Sequence, residues 1–343
     1  MLSHRPRLAV LLGDPSGIGP EMAVKLLARA ANVAAADVLL IADPAVLASG
    51  QQIAGVQLDT LTVSSLDQVR FEPGRITLLA KDWMAGRAVV LGECNDASGQ
   101  ASMQALSLAT EAVGRGIAQG IVFAPLNKHS LRLGGLTHED ELRYMQDRFD
   151  VKSFVCEFNI TGALWTSRVT SHVPLKDVAA LITGPAVADA VKIIDTALRQ
   201  AGVARPRIAV SGLNPHAGDG GSIGMEEIEI IAPAVLRLQA EGLDARGPYS
   251  PDTVFIAARR GDFDAVVSMY HDQGQIAMKL MGFERGVTLH GGLPVPVATS
   301  ASGSAFDIAG KGVANVEGLQ SAFDLCVQMA GSALSARAQR RAA

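Results

Sequence analysis

Residues Leu8–Ala28 read LAVLLGDPSGIGPEMAVKLLA. The apolar run Leu8–Leu12 has the length and composition of a buried strand. It passes through Gly13-Asp-Pro-Ser-Gly-Ile-Gly into a segment that opens with Pro20 and Glu21. Proline is favoured in the first helical turn, where its missing N–H costs nothing, and a carboxylate there complements the helix dipole. The spacing predicts a helix over Pro20–Ala28. The connecting turn resembles a dinucleotide-binding loop, but the GxGxxG spacing is absent, so a Rossmann reading is rejected.

The same alternation continues outward from this unit. Strands are expected at Asp37–Ala42, Ile76–Ala80, Ile121–Ala124, Arg168–Ser171, Ile208–Gly212 and Ala265–Met269, with helices at Gln100–Ala118, Ala186–Ala201 and Glu226–Ala240. Strands that alternate with helices imply an α/β architecture with mostly parallel sheets. A chain of 343 residues fits one large or two medium domains.

Composition removes several classes of function. Charged residues are 19% of the chain and the net charge is -4, and no basic stripe suited to nucleic acid is present. The short basic terminus with Arg337, Arg340 and Arg341 reads as a solvated helix end. No apolar run approaches the ~20 residues of a membrane helix, and the polar stretch before the first strand lacks a signal-peptide hydrophobic region, so no secretory leader is expected. The three cysteines, Cys94, Cys156 and Cys326, are scattered and follow no CxxC spacing. They point to a reducing compartment, with cytoplasm the expected location.

Three histidines share one context. His172 follows Arg-Val-Thr-Ser, His216 follows Ile-Ala-Val-Ser-Gly-Leu-Asn-Pro, and His271 follows Ala-Val-Val-Ser-Met-Tyr. Each lies just past an apolar run, where open parallel sheets place their ligands. Neutral imidazole is a common ligand for divalent metals, and three such ligands leave coordination positions open for substrate oxygens. The spacing is not HxxxH, so it does not by itself bring the three together. Around His216, the run Asn214–Gly224 holds four glycines, which permit close backbone approach to a ligand. His138 sits in Thr137-His-Glu-Asp-Glu141, either a substrate loop or a helix start with acidic caps.

Six stretches together resemble the 4-hydroxythreonine-4-phosphate dehydrogenase family of vitamin B6 biosynthesis: Gly13–Glu21, Ala124–Lys128, Gly212–Gly218, Gly247–Thr253, Met269–Gly274 and Ala305–Gly312. The last also resembles the isocitrate and isopropylmalate dehydrogenases. The resemblance implies two α/β/α domains with a cleft between them. The first would comprise 1–128 with 285–343 on the cofactor side, and the second 129–284 on the metal and dimer side. It implies a homodimer that shares one divalent metal, held by His172, His216 and His271. Zinc suits imidazole best, with cobalt, manganese and magnesium as alternatives. It further implies oxidation of a secondary alcohol by NAD or NADP, followed by loss of carbon dioxide. Gly303, Asp307, Gly310 and Lys311 match the cofactor loop, and Lys279 the substrate-contacting lysine. Lys279, Asp272 and Asp252 are the candidates for acid and base, and Asp272 is equally a candidate for orienting a histidine.

The departures from the family bear on substrate. The usual Gly-His-Thr-Glu reads Thr137-His138-Glu139-Asp140 here. Thr288 and Val297 occupy the positions of an asparagine and an arginine that bind a phosphorylated substrate. Phosphate is best held by a bidentate arginine. Its replacement by valine, with a new carboxylate at Glu139, predicts a small unphosphorylated hydroxy acid. Ser302 stands where the family carries a histidine before Gly303, which bears on cofactor affinity. Two alternatives remain: the family's B6 activity itself, and a ligand-binding homologue without catalysis.

Overall fold

The computed structural model describes residues 5–342, apart from the side chains of Phe283 and residues 337–342. His4 and the side chains of Arg337, Arg340 and Arg341 lie outside the described residues. The strands are β1 (Arg7–Leu11), β2 (Asp37–Ala42), β3 (Thr60–Val63), β4 (Ile76–Ala80), β5 (Gly120–Phe123), β6 (Cys156–Thr161), β7 (Leu164–Arg168), β8 (Arg207–Ser211), β9 (Asp244–Tyr249), β10 (Ala265–Ser268), β11 (Val287–Gly291) and β12 (Val297–Ser300). Two compact units divide the chain, residues 1–152 with 293–343 and residues 153–292.

In the first unit the strand order is β3-β4-β2-β1-β5-β12, and every neighbouring pair is parallel. Residues along β1 and β2 are buried on both faces, as in a sheet covered by helices on each side. Leu39, Leu40 and Ile41 keep almost no exposure, and burying each side chain contributes about 1.5–3 kcal/mol. The helix Asp96–Gly114 crosses the helix Lys128–Leu133 so closely that a Cβ on Gly99 would stand 1.8 Å from the Ser130 carbonyl oxygen. Only glycine permits that approach.

In the second unit the order is β11-β6-β7-β10-β8-β9. The pairs β11–β6 and β6–β7 are antiparallel, and β7–β10, β10–β8 and β8–β9 are parallel. Leu164, Ala209, Val254, Phe255, Val266 and Met278 gather in its core.

The units divide at 152/153 and 292/293 rather than at the expected 128/129 and 284/285. Physical reasons are visible at both places. Leu131, Leu136 and Met145 join the core of the first unit, and β11 is paired with β6 of the second. The expected strand Arg168–Ser171 is also displaced, because the paired strand is Leu164–Arg168. Beyond Arg168 the chain still donates from Val169 N to Ser268 O at 3.0 Å and from Thr170 N to Met269 O at 3.1 Å, but it no longer follows the strand. Where a single helix Glu226–Ala240 is expected, a π-helical turn at Glu227–Ile231 leads into the α-helix Ala232–Ala240. All three cysteines are free thiols, and burial pushes the Cys326 thiol up. Among the described residues, no helix is long and apolar enough to cross a membrane.

Candidate active site

The strand order of the second unit brings the three histidine loops to one edge. β7, β10 and β8 are adjacent and parallel, so their C-terminal ends point the same way. His172 follows β7, His271 follows β10 and His216 follows β8. The rings of His172 and His271 lie 5.8 Å apart between centroids. Two imidazoles that share one divalent ion through Nε2, at ~2.1 Å each, hold their centroids roughly 4.5–6 Å apart. The observed separation is one that a shared ion allows, but the ligand nitrogens of His172, His216 and His271 do not all lie within 4.8 Å of one another, so the single chain does not by itself close a three-histidine site. His271 opens the helix His271–Gly282, and its Nδ1 lies 2.6 Å from Asp272 Oδ1. With a proton on Nδ1 donated to this carboxylate, the lone pair of Nε2 is left for a ligand, the arrangement that fixes metal-binding tautomers.

His216 is held differently. From His216 to Gly220 the backbone is left-handed throughout, with φ of 54° at His216, 53° at Ala217 and 44° at Asp219. Such a conformation costs a non-glycine residue about 1–2 kcal/mol, so the turn persists only because its surroundings impose it. Glu227 is one such restraint. Its Oε1 accepts from the amides of Leu213 and Asn214 at 2.7 Å each, and its Oε2 accepts from the Asn214 side chain at 3.0 Å. Gln273 is another. It accepts from Met269 N at 2.7 Å and donates to Gly212 O at 2.9 Å, tying the loop after β10 to the loop after β8. Glu227 and Gln273 are not legible as site residues in the sequence. No short-range pattern marks them, since their partners are backbone groups fixed by the tertiary fold.

Asp252 is exposed, and its carboxyl lies below the usual carboxylate range. The Ser250 hydroxyl, donating at 2.7 Å, is the main cause, and the Coulombic attraction of His216 adds to it. Lys279 is exposed on the helix that starts at His271, about 12 Å further along its axis. Thr288 lies on β11 opposite Asn159 and accepts from its Nδ2 at 3.4 Å.

The other candidate residues belong to the first unit. Its motif segments leave the C-terminal ends of the adjacent strands β1, β5 and β12. Asp14 N donates to Pro125 O at 2.9 Å, Ile18 N to Ser304 O at 3.0 Å and Asn127 Nδ2 to Ser304 Oγ at 3.3 Å. Asp14 is fully buried, and burial raises its carboxyl above the usual range, against the Ser16 amide and the Ser130 hydroxyl, which lower it. Gly303, Asp307, Gly310 and Lys311 are all exposed on the loop after β12. An exposed carboxylate and an exposed ammonium beside open glycine backbone suit the ribose hydroxyls and phosphates of a nicotinamide nucleotide. Ser302 shares a hydrogen bond with the Ser300 hydroxyl at 2.8 Å.

His138 packs edge-on against Tyr144 at 5.6 Å, with its Nε2 3.7 Å from Asp147 Oδ2. Of the two readings of its segment, the helix start is present: Asp140 caps the helix Glu141–Arg148 by accepting from Arg143 N at 2.8 Å. Glu139 is exposed. Val297 is fully buried in the core of the first unit and presents no surface to a ligand. The expectation that Val297 contacts the substrate is therefore corrected: its side chain is enclosed by the core and does not meet a ligand.

Comparison with known proteins is consistent across the chain. The family model described as "Pyridoxal phosphate biosynthetic protein PdxA" matches residues 34–326. A Pseudomonas aeruginosa relative, provisionally named 4-hydroxythreonine-4-phosphate dehydrogenase 2, is 48% identical over 94% of this chain and 97% of its own. The crystal structure of 4-hydroxythreonine-4-phosphate dehydrogenase from Klebsiella pneumoniae is 32% identical, covers 96% of this chain and 99% of its own, and has a TM-score of 0.82. That of a terephthalate 1,2-cis-dihydrodiol dehydrogenase from Burkholderia xenovorans is 28% identical, with coverage of 94% and 98% and a TM-score of 0.67.

Proposed function

The chain belongs to the pyridoxal phosphate biosynthetic protein PdxA family, and from that premise we propose that it oxidises the secondary alcohol of a small, unphosphorylated hydroxy acid, using NAD or NADP and one divalent metal. It is an oxidoreductase acting on a CH–OH group, as its relatives are named.

The metal part of the proposal rests on the histidines at the ends of β7, β10 and β8. His172, His216 and His271 would hold the ion. When bound, it supplies a Lewis acid that polarises the alcohol oxygen of the substrate. Asp272 holds His271 in the tautomer that offers Nε2. Asp272 is thereby engaged, which leaves Asp252 and Lys279 to move the proton. Asp252 is kept ionised by Ser250 and suits the base. Lys279 suits a substrate carboxylate or the returning proton. The loop Gly303–Lys311 would hold the cofactor, which accepts the hydride. An alcohol β to a carboxylate would give a β-keto acid, and loss of carbon dioxide completes this reading.

The substrate part rests on the uncharged Thr288 and on the exposed carboxylate of Glu139. The dihydrodiol dehydrogenase, whose name carries no phosphate, supports it. A second reading, a phosphorylated hydroxy acid, is favoured by the name of the 48% identical relative.

One experiment separates them. The purified protein with each of zinc, cobalt, manganese and magnesium is offered NAD or NADP and a panel of hydroxy acids that includes 4-phosphohydroxythreonine. Reduced-nicotinamide absorbance should rise with an unphosphorylated member. Robust turnover confined to the phosphorylated substrate would overturn the substrate assignment. Full metal retention in both His216→Ala and His271→Ala, by elemental analysis, would overturn the metal assignment.

A further inference from the structure

A second polar cluster lies in the sheet of the second unit, between β6, β7 and β11. Arg168, the last residue of β7, is only 3% exposed. Its guanidinium is divided among three acceptors: Nε donates to Ser171 Oγ at 2.6 Å, Nη1 to Asn159 Oδ1 at 2.8 Å and Nη2 to Glu157 Oε2 at 2.8 Å. Asn159 branches further. Its Oδ1 also accepts from Gln275 Nε2 at 2.5 Å, and its Nδ2 donates to Thr288 Oγ1 at 3.4 Å.

The partners are informative. Ser171 immediately precedes His172. Gln275 lies one turn beyond His271 on the same helix. Thr288 is the uncharged substrate candidate on β11. One arginine and one amide thus join three segments that come from distant parts of the chain. A buried ion pair is weak as a source of stability, since packed apolar side chains of similar volume serve as well or better. Its measurable contribution is to geometry, because a fully satisfied polar network admits one arrangement of its members.

We propose that Arg168 and Asn159 are positioning residues that set the separation of His172 and His271. Arg168 holds the Ser171–His172 segment through Ser171. Asn159 holds the helix that carries His271 through Gln275, and both are anchored on β6. This rests on the reading of His172 and His271 as metal ligands, and the test separates the two.

Asn159→Leu removes all three contacts of the amide and leaves the Arg168–Glu157 pair in place. Titration with Co(II), followed by its visible absorption, reads affinity and coordination together. Loss of an outer-shell contact weakens metal binding about 10-fold or more, equivalent to ~1.4 kcal/mol. Asn159→Leu should show that loss while its thermal unfolding remains cooperative. Asn159→Asp keeps the oxygen that accepts from Arg168 and Gln275, and should recover most of the affinity. Should Asn159→Leu fail to fold, Arg168→Lys carries the test. It preserves the charge opposite Glu157 but cannot reach three acceptors, and the same direction of loss is expected. Co(II) affinity within twofold of the parent in the folded variant overturns the positioning role alone. Failure of the parent protein to bind Co(II) overturns the metal reading, and the positioning role falls with it.

Discussion

Glu227→Ala removes the carboxylate that holds the loop after β8. Glu227 is 2% exposed, and it accepts from two backbone amides at 2.7 Å and one side-chain amide at 3.0 Å. A hydrogen bond to a charged group is worth about 1.5–3 kcal/mol, and a buried donor left without a partner costs a similar amount. The three bonds share one carboxylate, so their contributions overlap rather than add. The truncation should therefore cost about 3–5 kcal/mol. The left-handed residues His216, Ala217 and Asp219 then lose a main restraint. At about 3 °C per kcal/mol for a domain of this size, the unfolding midpoint should fall by roughly 9–15 °C. Differential scanning calorimetry of the parent and the variant reads this directly. Glu227→Gln keeps one accepting oxygen and should fall between them. A midpoint for Glu227→Ala within about 3 °C of the parent would refute the idea that this carboxylate imposes the turn.

Two further outcomes are expected. Asp272→Asn keeps an oxygen for His271 Nδ1 but loses the negative charge that makes the imidazole a better ligand. Co(II) affinity should fall about 10-fold, and an unchanged affinity would remove Asp272 from its orienting role. Asp14 provides a pH test. Burial raises its folded-state pKa above that of an aspartate in the unfolded chain. The neutral form is therefore favoured by folding, and its contribution is present at low pH and lost as pH rises through the folded-state value. Asp14→Asn keeps the oxygen that accepts from Ser16 N at 2.8 Å. Urea unfolding at a series of pH values should show the variant gaining on the parent as pH rises above the usual carboxylate range. A stability difference that does not change with pH would contradict a raised carboxyl.

The legible parts of the fold are those whose signal is local. Asp37–Ala42 and Ile76–Ala80 are mostly apolar runs buried on both faces, and both strands lie where their composition places them. The first helix begins one residue before Pro20, as the proline and Glu21 require. β6 and β11 escape the same reading. Glu157, Asn159 and Thr288 interrupt their apolar character, and these residues are tolerated there because Arg168 and Gln275 arrive from elsewhere in the chain. Val169 and Thr170 have strand-like side chains, yet they lie past the end of β7. The histidines are visible as a repeated context because each follows an apolar strand. The residues that hold their loops are not visible, since Glu227 and Gln273 bond to backbone groups that only the folded sheet brings within reach. The left-handed turn is half legible: Gly218, Gly220 and Gly221 announce it, while His216 and Ala217 carry the strain.

The order of β7, β10 and β8 has a consequence in time. Synthesis delivers β7, then β8, and β10 last, yet β10 lies between the other two. A nascent chain that has emerged only as far as β8 carries His172 and His216 without the strand that separates and aligns them. If the three histidines hold an ion, that partial chain would offer it only two donors. The third, His271, comes with β10, so the proposed site is complete only once the central strand stands between its neighbours.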